Sequence, residues 1–395
     1  MDRTGQRRRP PPRRHRSGRY RRRRALAILA LVIVAVTVAA TALSGGDDGS
    51  PRDPVVPDAV TSETSPSAPE ARRSSATKPV SIAAVGDIMM GSSDHGLPPD
   101  GGAGSFASVG GLLQGDIVFG NLEGPLTDAS AGSKCGTDST SCFAFRTPPS
   151  YAAHLKAAGF DVVSVANNHA FDFGAQGVAD TLDALAGAGI EATGAAGTTA
   201  VVEANGTLVA FVGFSSYEGA DPLLDLDAAA RRIAEAAAEA DVVVATMHGG
   251  AEGSDAQHQP EGPETYLGEQ RGDLRAFARA TIDAGADLVI GHGPHVLRGL
   301  ELYKGRLVAY SLGNFVGYEA FSLSGPLSVS AVLQVRVAAD GRFMDGRLLP
   351  VQLVGAGTPA PGGNAVAMVD ALSAEDFGAR AVRLSPEGVL RAPSG

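Results

Sequence analysis

Polar residues with metal-ligating chemistry recur where apolar, strand-like runs end. In chain order they are Gly86-Asp87, Asn121-Leu122-Glu123, Asn167-Asn168-His169, His248, and the run Gly291-His292-Gly293-Pro294-His295. The chain has eight histidines, and four of them, His169, His248, His292 and His295, stand at such a mouth. Imidazole, carboxylate and amide together are the donor set of a hydrolytic divalent metal centre. Each residue alone has an ordinary reading: Asp87 can cap a turn, Asn167 and Asn168 suit turns, and a lone histidine is usually a hydrogen-bonded core or surface residue. Residues 291–295 are harder to read that way, because their glycines and proline exclude a helix and hold two imidazoles on one loop. Repetition at five successive strand ends predicts one shared site and a metal-dependent hydrolase. No Gly-x-Ser-x-Gly elbow or P-loop occurs, so serine hydrolysis and nucleotide-driven ligation find no support.

The elements that must hold these residues alternate. Apolar runs predict strands at 81–86, 117–121, 161–166, 207–214, 242–247 and 287–291. Helical periodicity predicts helices at 149–158, 175–188, 227–240 and 268–285. That alternation gives an α/β fold, with a sheet covered by helices on both faces. In such sheets ligands bind beyond the carboxyl ends of the strands, where the residues named above lie. Past residue 297 the pattern turns antiparallel, with a hairpin at Lys304-Gly305 and two strands around Asp340-Gly341. Residues 355–395 are rich in Gly, Pro and Ala and only weakly patterned.

Charge is distributed unevenly. Of 33 basic and 43 acidic side chains, twelve arginines and one acid lie within 1–24, leaving 21 and 42 beyond it, a net of −21. The arginine-rich tail 1–24 abuts twenty uncharged, mostly apolar residues, 25–44, long enough to span a bilayer as a helix. The positive-inside rule then leaves the N-terminus in the cytoplasm and the rest of a single-pass protein of the cell membrane outside. Ala40-Thr41-Ala42 resembles a signal-peptidase site, so cleavage after Ala42 is the alternative. A nucleic-acid partner is not expected, since only the tail would serve it. Residues 45–78, rich in Pro, Ser and charge, form a disordered linker. The two cysteines, Cys135 and Cys142, both in the exported part, are expected to form a disulfide across a short loop.

The stretches GDIMMG (86–91), NLEGPLT (121–127), SVANNHAFDFGAQG (164–177), MHGGAE (247–252) and GADLVIGHGPHVLRGLELYKGRLVAYSLGNF (285–315) are similar to the capsule synthesis protein family CapA. These are poly-γ-glutamate biosynthesis proteins related to the calcineurin-like metallophosphoesterases. The resemblance implies a metallophosphoesterase-like domain over 79–355, with central mixed β-sheets flanked by helices in a four-layer αββα arrangement, and a C-terminal extension over 356–395. It implies metal ligation by Asp87, Glu123, Asn168, His248, His292 and His295, holding one or two divalent ions of the Mn, Fe or Zn type. His169 would stabilise or protonate the leaving group, beside Asn168. Glu252 and Asn314 match further family positions and, with Arg146, are expected on the substrate side.

Three positions depart from the metallophosphoesterase pattern. Met89 stands where a histidine usually follows the first aspartate, with His95 as a substitute by loop geometry. Glu123 replaces an aspartate, and Gly249 replaces the aromatic after the fourth-motif histidine. Two functions are carried forward. One is a membrane-anchored extracytoplasmic metallohydrolase, or phosphoesterase, of capsule or poly-γ-glutamate biosynthesis, acting on an anionic envelope polymer or phosphorylated precursor. The other is a non-catalytic polymer-binding or export subunit that uses the same pocket beside synthase membrane subunits. An acidic exported domain repels such a polymer in bulk, so cations or local arginines (Arg146, Arg298 and Arg306) would have to bridge.

Overall fold

An apolar run buried on both faces belongs in the middle of a sheet, and Val80–Met89 takes that place as strand β1. The computed structural model describes residues 78–94, 96–135 and 142–393. The arginine-rich tail, the apolar segment 25–44, the Ala42 site, linker residues 45–77 and His95 therefore lie outside the described residues. Among the described residues no helix is long and apolar enough to cross a membrane.

After β1 come β2 (Ile117–Leu122), helix α1 (Ala152–Ala158), β3 (Val162–Ser164), α2 (Gly174–Ala188) and β4 (Glu191–Thr193). Both helices stop at a left-handed glycine, Gly159 and Gly189, the usual way to satisfy the last carbonyls. A hairpin of β5 (Ala200–Ala204) and β6 (Thr207–Ser215) follows, then the short β7 (Asp221–Pro222). Next are α3 (Leu226–Glu239), β8 (Val242–His248), a small hairpin of β9 (Glu264–Tyr266) and β10 (Glu269–Gly272), α4 (Leu274–Asp283) and β11 (Leu288–His292).

The expected helix over 268–285 is thus too long at its start. Gly272, at φ +90°, breaks the chain direction, and Asp273 caps α4 by accepting from the Ala276 amide at 2.8 Å. The end of the chain is antiparallel in its two hairpins, as expected, while Arg306–Ala309 and Asn314–Gly317 lie parallel to earlier strands. It comprises β12 (Leu300–Tyr303), β13 (Arg306–Ala309), β14 (Asn314–Gly317), β15 (Val329–Val337) and β16 (Phe343–Val354). Beyond 355, where the sequence pattern is weak, lie β17 (Thr358–Pro361), α5 (Ala365–Phe377) and the pair β18 (Arg383–Leu384) and β19 (Leu390–Arg391). This last segment is integral: β17 extends the first sheet, and Ala365 and Val369 enter the central core.

The strands form two large sheets. One runs β17-β16-β15-β1-β2-β3-β4 with β14 also on β1; the other runs β12-β13-β11-β8-β6-β5 with β7 on β6. Alternate residues of each strand face opposite ways, which sorts the apolar side chains into three cores. Ile82, Phe119, Phe211, Val244 and Ile290 fill the space between the sheets, with Phe119 stacked on Phe211 at 5.2 Å. Ala83, Val118 and Val163 meet Leu155 of α1 and Leu185 of α2 on one outer face. Ala210, Val243 and Val289 meet Ile233 of α3 and Phe277 of α4 on the other. Helix, sheet, sheet, helix is the order that the resemblance implies; the single sheet with helices on both faces, expected from the alternation alone, is instead two sheets with helices on their outer faces.

Register then carries the polar residues together. In the first sheet Asp87 pairs with Asn121 on one side and Asn314 on the other. In the second His248 pairs with His292. Close backbone approach makes this geometry depend on glycine. A Cβ on Gly86 would lie 1.9 Å from the Gly313 carbonyl oxygen, which accepts the Asp87 amide at 2.9 Å. Gly86→Ala is expected to lower stability by about 1–3 kcal/mol through this overlap. Gly187→Ala, exposed in α2 with open space around it, should raise it by about 0.5–1 kcal/mol. Urea denaturation of the pair checks both signs, and an unchanged midpoint for G86A would contradict the contact.

Candidate metal centre

Four strand ends deliver the site. Asp87 near the end of β1 is fully buried, and its Oδ1 accepts from Asn121 Nδ2 at 2.8 Å. The same oxygen lies 3.3 Å from His292 Nδ1, at the end of β11 in the other sheet. Asp87 Oδ2 lies 3.2 Å from His295 Nδ1, which also meets Asn314 Oδ1 at 2.9 Å. An amide oxygen only accepts, so that His295 nitrogen carries a proton. Nε2 stands 3.7 Å from Glu123 Oε1 and 3.8 Å from Glu252 Oε2. His248 Nε2 is likewise 3.7 Å from Glu123 Oε1. His295 holds this place at φ +61°, a left-handed backbone that a non-glycine residue adopts only where its surroundings impose it.

Donor atoms of Asp87, Glu123 and His295 all lie within 4.8 Å of one another, close enough for one ion. Several polar atoms here are buried without a hydrogen-bond partner among the described residues. They are Asp87 Oδ2, both Glu123 oxygens, His248 Nε2, both His292 nitrogens and Asn168 Oδ1. A buried polar group left unpaired costs about 1–3 kcal/mol, so a cluster of them at one point fits a bound cation. Oxygen and imidazole donors suit Mn, Fe or Zn. The residues therefore fit the group that the sequence implies.

The electrostatics agree with that fit. Burial works to raise the Asp87 carboxyl, but the adjoining His292 and His295 imidazoles hold it well below the ordinary carboxylate range. Glu123 and His295 compete for a proton. Burial pushes Glu123 well up, while His295, opposed by burial, is raised to about 10 by Glu123, Asp87 and Glu252. Burial keeps His248 well below its ordinary value, as a neutral ligand must be. A cation at this point would offset the charge of the carboxylates gathered around His295.

His169 forms a separate arm. Its Nδ1 donates to Asp172 Oδ2 at 2.8 Å, its amide donates to Asn167 Oδ1 at 3.1 Å, and its ring lies 4.4 Å from that of Phe145. Asp172 is fully buried, accepts the Phe145 amide at 2.6 Å and pairs with Lys134 Nζ at 2.6 Å. Burial lowers the His169 imidazole, and the Asp172 hydrogen bond restores part of that loss. Asn167, not Asn168, ties this arm to the ligands, donating to Asn121 Oδ1 at 3.1 Å and to the Leu122 carbonyl at 2.9 Å. Asn168 keeps its buried, unpartnered Oδ1, while its carbonyl accepts from Lys134 at 3.2 Å.

The remaining expectations separate. Glu252 and Asn314 reach the cluster through His295. Arg146 is committed to Asp94 by two hydrogen bonds of 2.9 and 3.0 Å and lies over Phe173. Arg298 is buried in an ion pair with Glu264 at 2.7 Å, and Arg306 pairs with Asp287 at 3.2 Å. Arg298 is therefore a structural group, neither solvated nor available to a polymer. His258 sits away from the cluster, exposed against Asp376. Cys135 and Cys142 are joined in a disulfide, Cα atoms 5.6 Å apart. Met89 is buried, and Gly249 has a packing reason: a Cβ there would meet the Arg271 carbonyl oxygen at 2.6 Å, so no aromatic fits.

The sequence does not single out Asp172, Lys134 or Arg271. Asp172 had a signal, three residues after His169 in the same motif. Arg271 had none once its segment was read as helix.

Comparison with known proteins agrees with these motifs. Residues 81–319 match the model of the family described as bacterial capsule synthesis protein PGA_cap. The PGA biosynthesis protein CapA of Bacillus subtilis (strain 168) is 32% identical over 307 residues, 71% of this chain and 73% of that protein. The capsule biosynthesis protein CapA of Bacillus anthracis is 32% identical over 254 residues, 59% of this chain and 58% of that protein. Among solved structures, the NAD nucleotidase of Haemophilus influenzae superposes with a TM-score of 0.40 at 14% identity, covering 73% of this chain and 54% of that one. The family match spans every one of the strand ends described above, and the chain belongs to the bacterial capsule synthesis protein PGA_cap family.

Proposed function

We propose that this protein is a membrane-anchored, extracytoplasmic metallohydrolase that cleaves a phosphoester or related bond in an anionic envelope polymer or its precursor. The observation that carries this reading is the convergence of unpartnered carboxylate and imidazole atoms from both sheets on one buried point. Asp87, Glu123 and His295 would form the nucleus of the metal site, with His248, His292 and Asn168 completing one or two positions. A divalent ion held there supplies hydroxide near neutral pH and neutralises charge building on a phosphoryl or acyl oxygen. His169, oriented by Asp172, presents Nε2 for hydrogen bonding or proton transfer to the leaving group. Names of the Bacillus relatives suggest the process, poly-γ-glutamate capsule biosynthesis. The apolar segment 25–44 would hold the domain at the outer face of the cell membrane, near synthase membrane subunits.

Elemental analysis of the full-length protein should find one or two equivalents of Mn, Fe or Zn, lost in Asp87→Ala. Metal at a hundredfold excess over its Kd should add about 2.7 kcal/mol to unfolding stability, and a chelator should remove it. In a phosphodiesterase assay His169→Ala should lower kcat by about 10²- to 10⁴-fold with metal content unchanged. Asp172→Asn should lower kcat in the same direction by a smaller factor. No stoichiometric metal in the wild type would overturn the reading. Full metal occupancy without turnover on any ester would instead leave the polymer-binding subunit. Full-length protein is expected in the membrane fraction and released by detergent, and its appearance in the soluble fraction would refute the anchor.

A further inference from the structure

Arg271, at the end of β10, borders the metal ligands without belonging to them. Its side chain is 1% exposed. Nε donates to the Gly250 carbonyl at 2.9 Å, and Nη1 donates to the Tyr217 hydroxyl at 2.6 Å and pairs with Glu252 Oε1 at 2.9 Å. Nη2 is buried and has no hydrogen-bond partner among the described residues. That nitrogen abuts the ligand loop: a Cβ on Gly293 would lie 3.3 Å from it, between His292 and His295. Glu252 closes the connection, with its other oxygen 3.8 Å from His295 Nε2.

Among the described residues, other guanidiniums leave only a buried Nε unpartnered, at Arg275 and Arg279. Arg298 is as deeply buried as Arg271, yet all three of its nitrogens are engaged, by Ala256, Gln259, Glu264 and Ala251. Arg271 is held as firmly on two nitrogens and left open on the third, toward the reacting centre. A permanently charged, planar donor fixed in this way is pre-organised for an oxyanion. It also supplies positive charge where the pocket is otherwise carboxylate-rich and would repel an anionic substrate.

We propose that Arg271 is the substrate-recognition residue of this site, its Nη2 donating to an anionic oxygen, carboxylate or phosphoryl, of the bound substrate. The assignment rests on the reading of the neighbouring cluster as a metal hydrolase site. It is tested by calorimetric titration of the full-length protein with inorganic phosphate and, separately, with a γ-linked glutamate dipeptide, metal content being measured in each sample. Arg271→Lys keeps a charge facing Glu252 but has no second nitrogen; Arg271→Gln removes the charge as well. R271K is expected to keep its metal and thermal stability and to bind one probe about ten- to a hundredfold more weakly, and the probe affected names the source of the oxyanion. R271Q should lose at least as much, and if it does not fold, R271K decides. Equal affinity of R271K and the wild type for both probes would overturn the proposal. So would a wild type that binds neither probe at millimolar concentration, or metal loss from R271K. A metal-free wild type whose anion binding still falls in R271K would sink the metal reading and leave Arg271 in its role.

Discussion

The carboxylate of Asp87 joins the two halves of the sandwich. It belongs to the first sheet, where Asn121 anchors one oxygen, yet both oxygens face imidazoles carried by the second sheet's ligand loop. Directly beneath it the interior is apolar, and the ring of Phe119 lies 5.9 Å from that of His292. Charges placed at the rim of such a core interact more strongly than they would in water, and each costs more if left alone. The polar end of the sandwich is consequently a single electrostatic unit, in which no member is placed independently of the others.

What a strand can say about itself was readable in the sequence. The apolar runs, the residues that end them, the hairpin at Lys304-Gly305 and the disulfide all follow from local pattern. Partnership between distant strands did not. Asn121 stands in its motif as one more polar residue at a strand end, and only the β1–β2 register shows it bridging Asp87 and Asn167. Arg271 was hidden because residues 268–285 carry a usable helical pattern throughout. Gly272 and Asp273 end and restart the chain within it. The C-terminal helix α5 escaped for a different reason. Alanine-rich sequence forms helices readily but gives no stripe to read, and what stabilises this one is the core it caps.

Close backbone approach shapes the site at two glycines, one of them the Gly249 that stands where an aromatic was expected. At Gly249 and Gly86 the backbone of another segment passes so close that a side chain has no room. Space that an aromatic ring would occupy is taken here by the β9–β10 hairpin. That hairpin brings Arg271, and through it Tyr217 and Glu269, to the edge of the cluster. One side of the cluster is thus lined by a charged side chain.

The order of strands in the first sheet also governs when the site can exist. β1 is the first element described and Asp87 its principal residue, but β1 is flanked by β14 and β15, near the other end of the chain. Contacts between such remote segments form late, because loop closure must come before any of their stabilisation is gained. A nascent chain can complete α1, α2 and the hairpin of β5 and β6 while Asp87, already beside Asn121, still lacks its neighbours on β14. Ligand geometry is therefore a property of the finished chain, since the strands that flank β1 come from its far end.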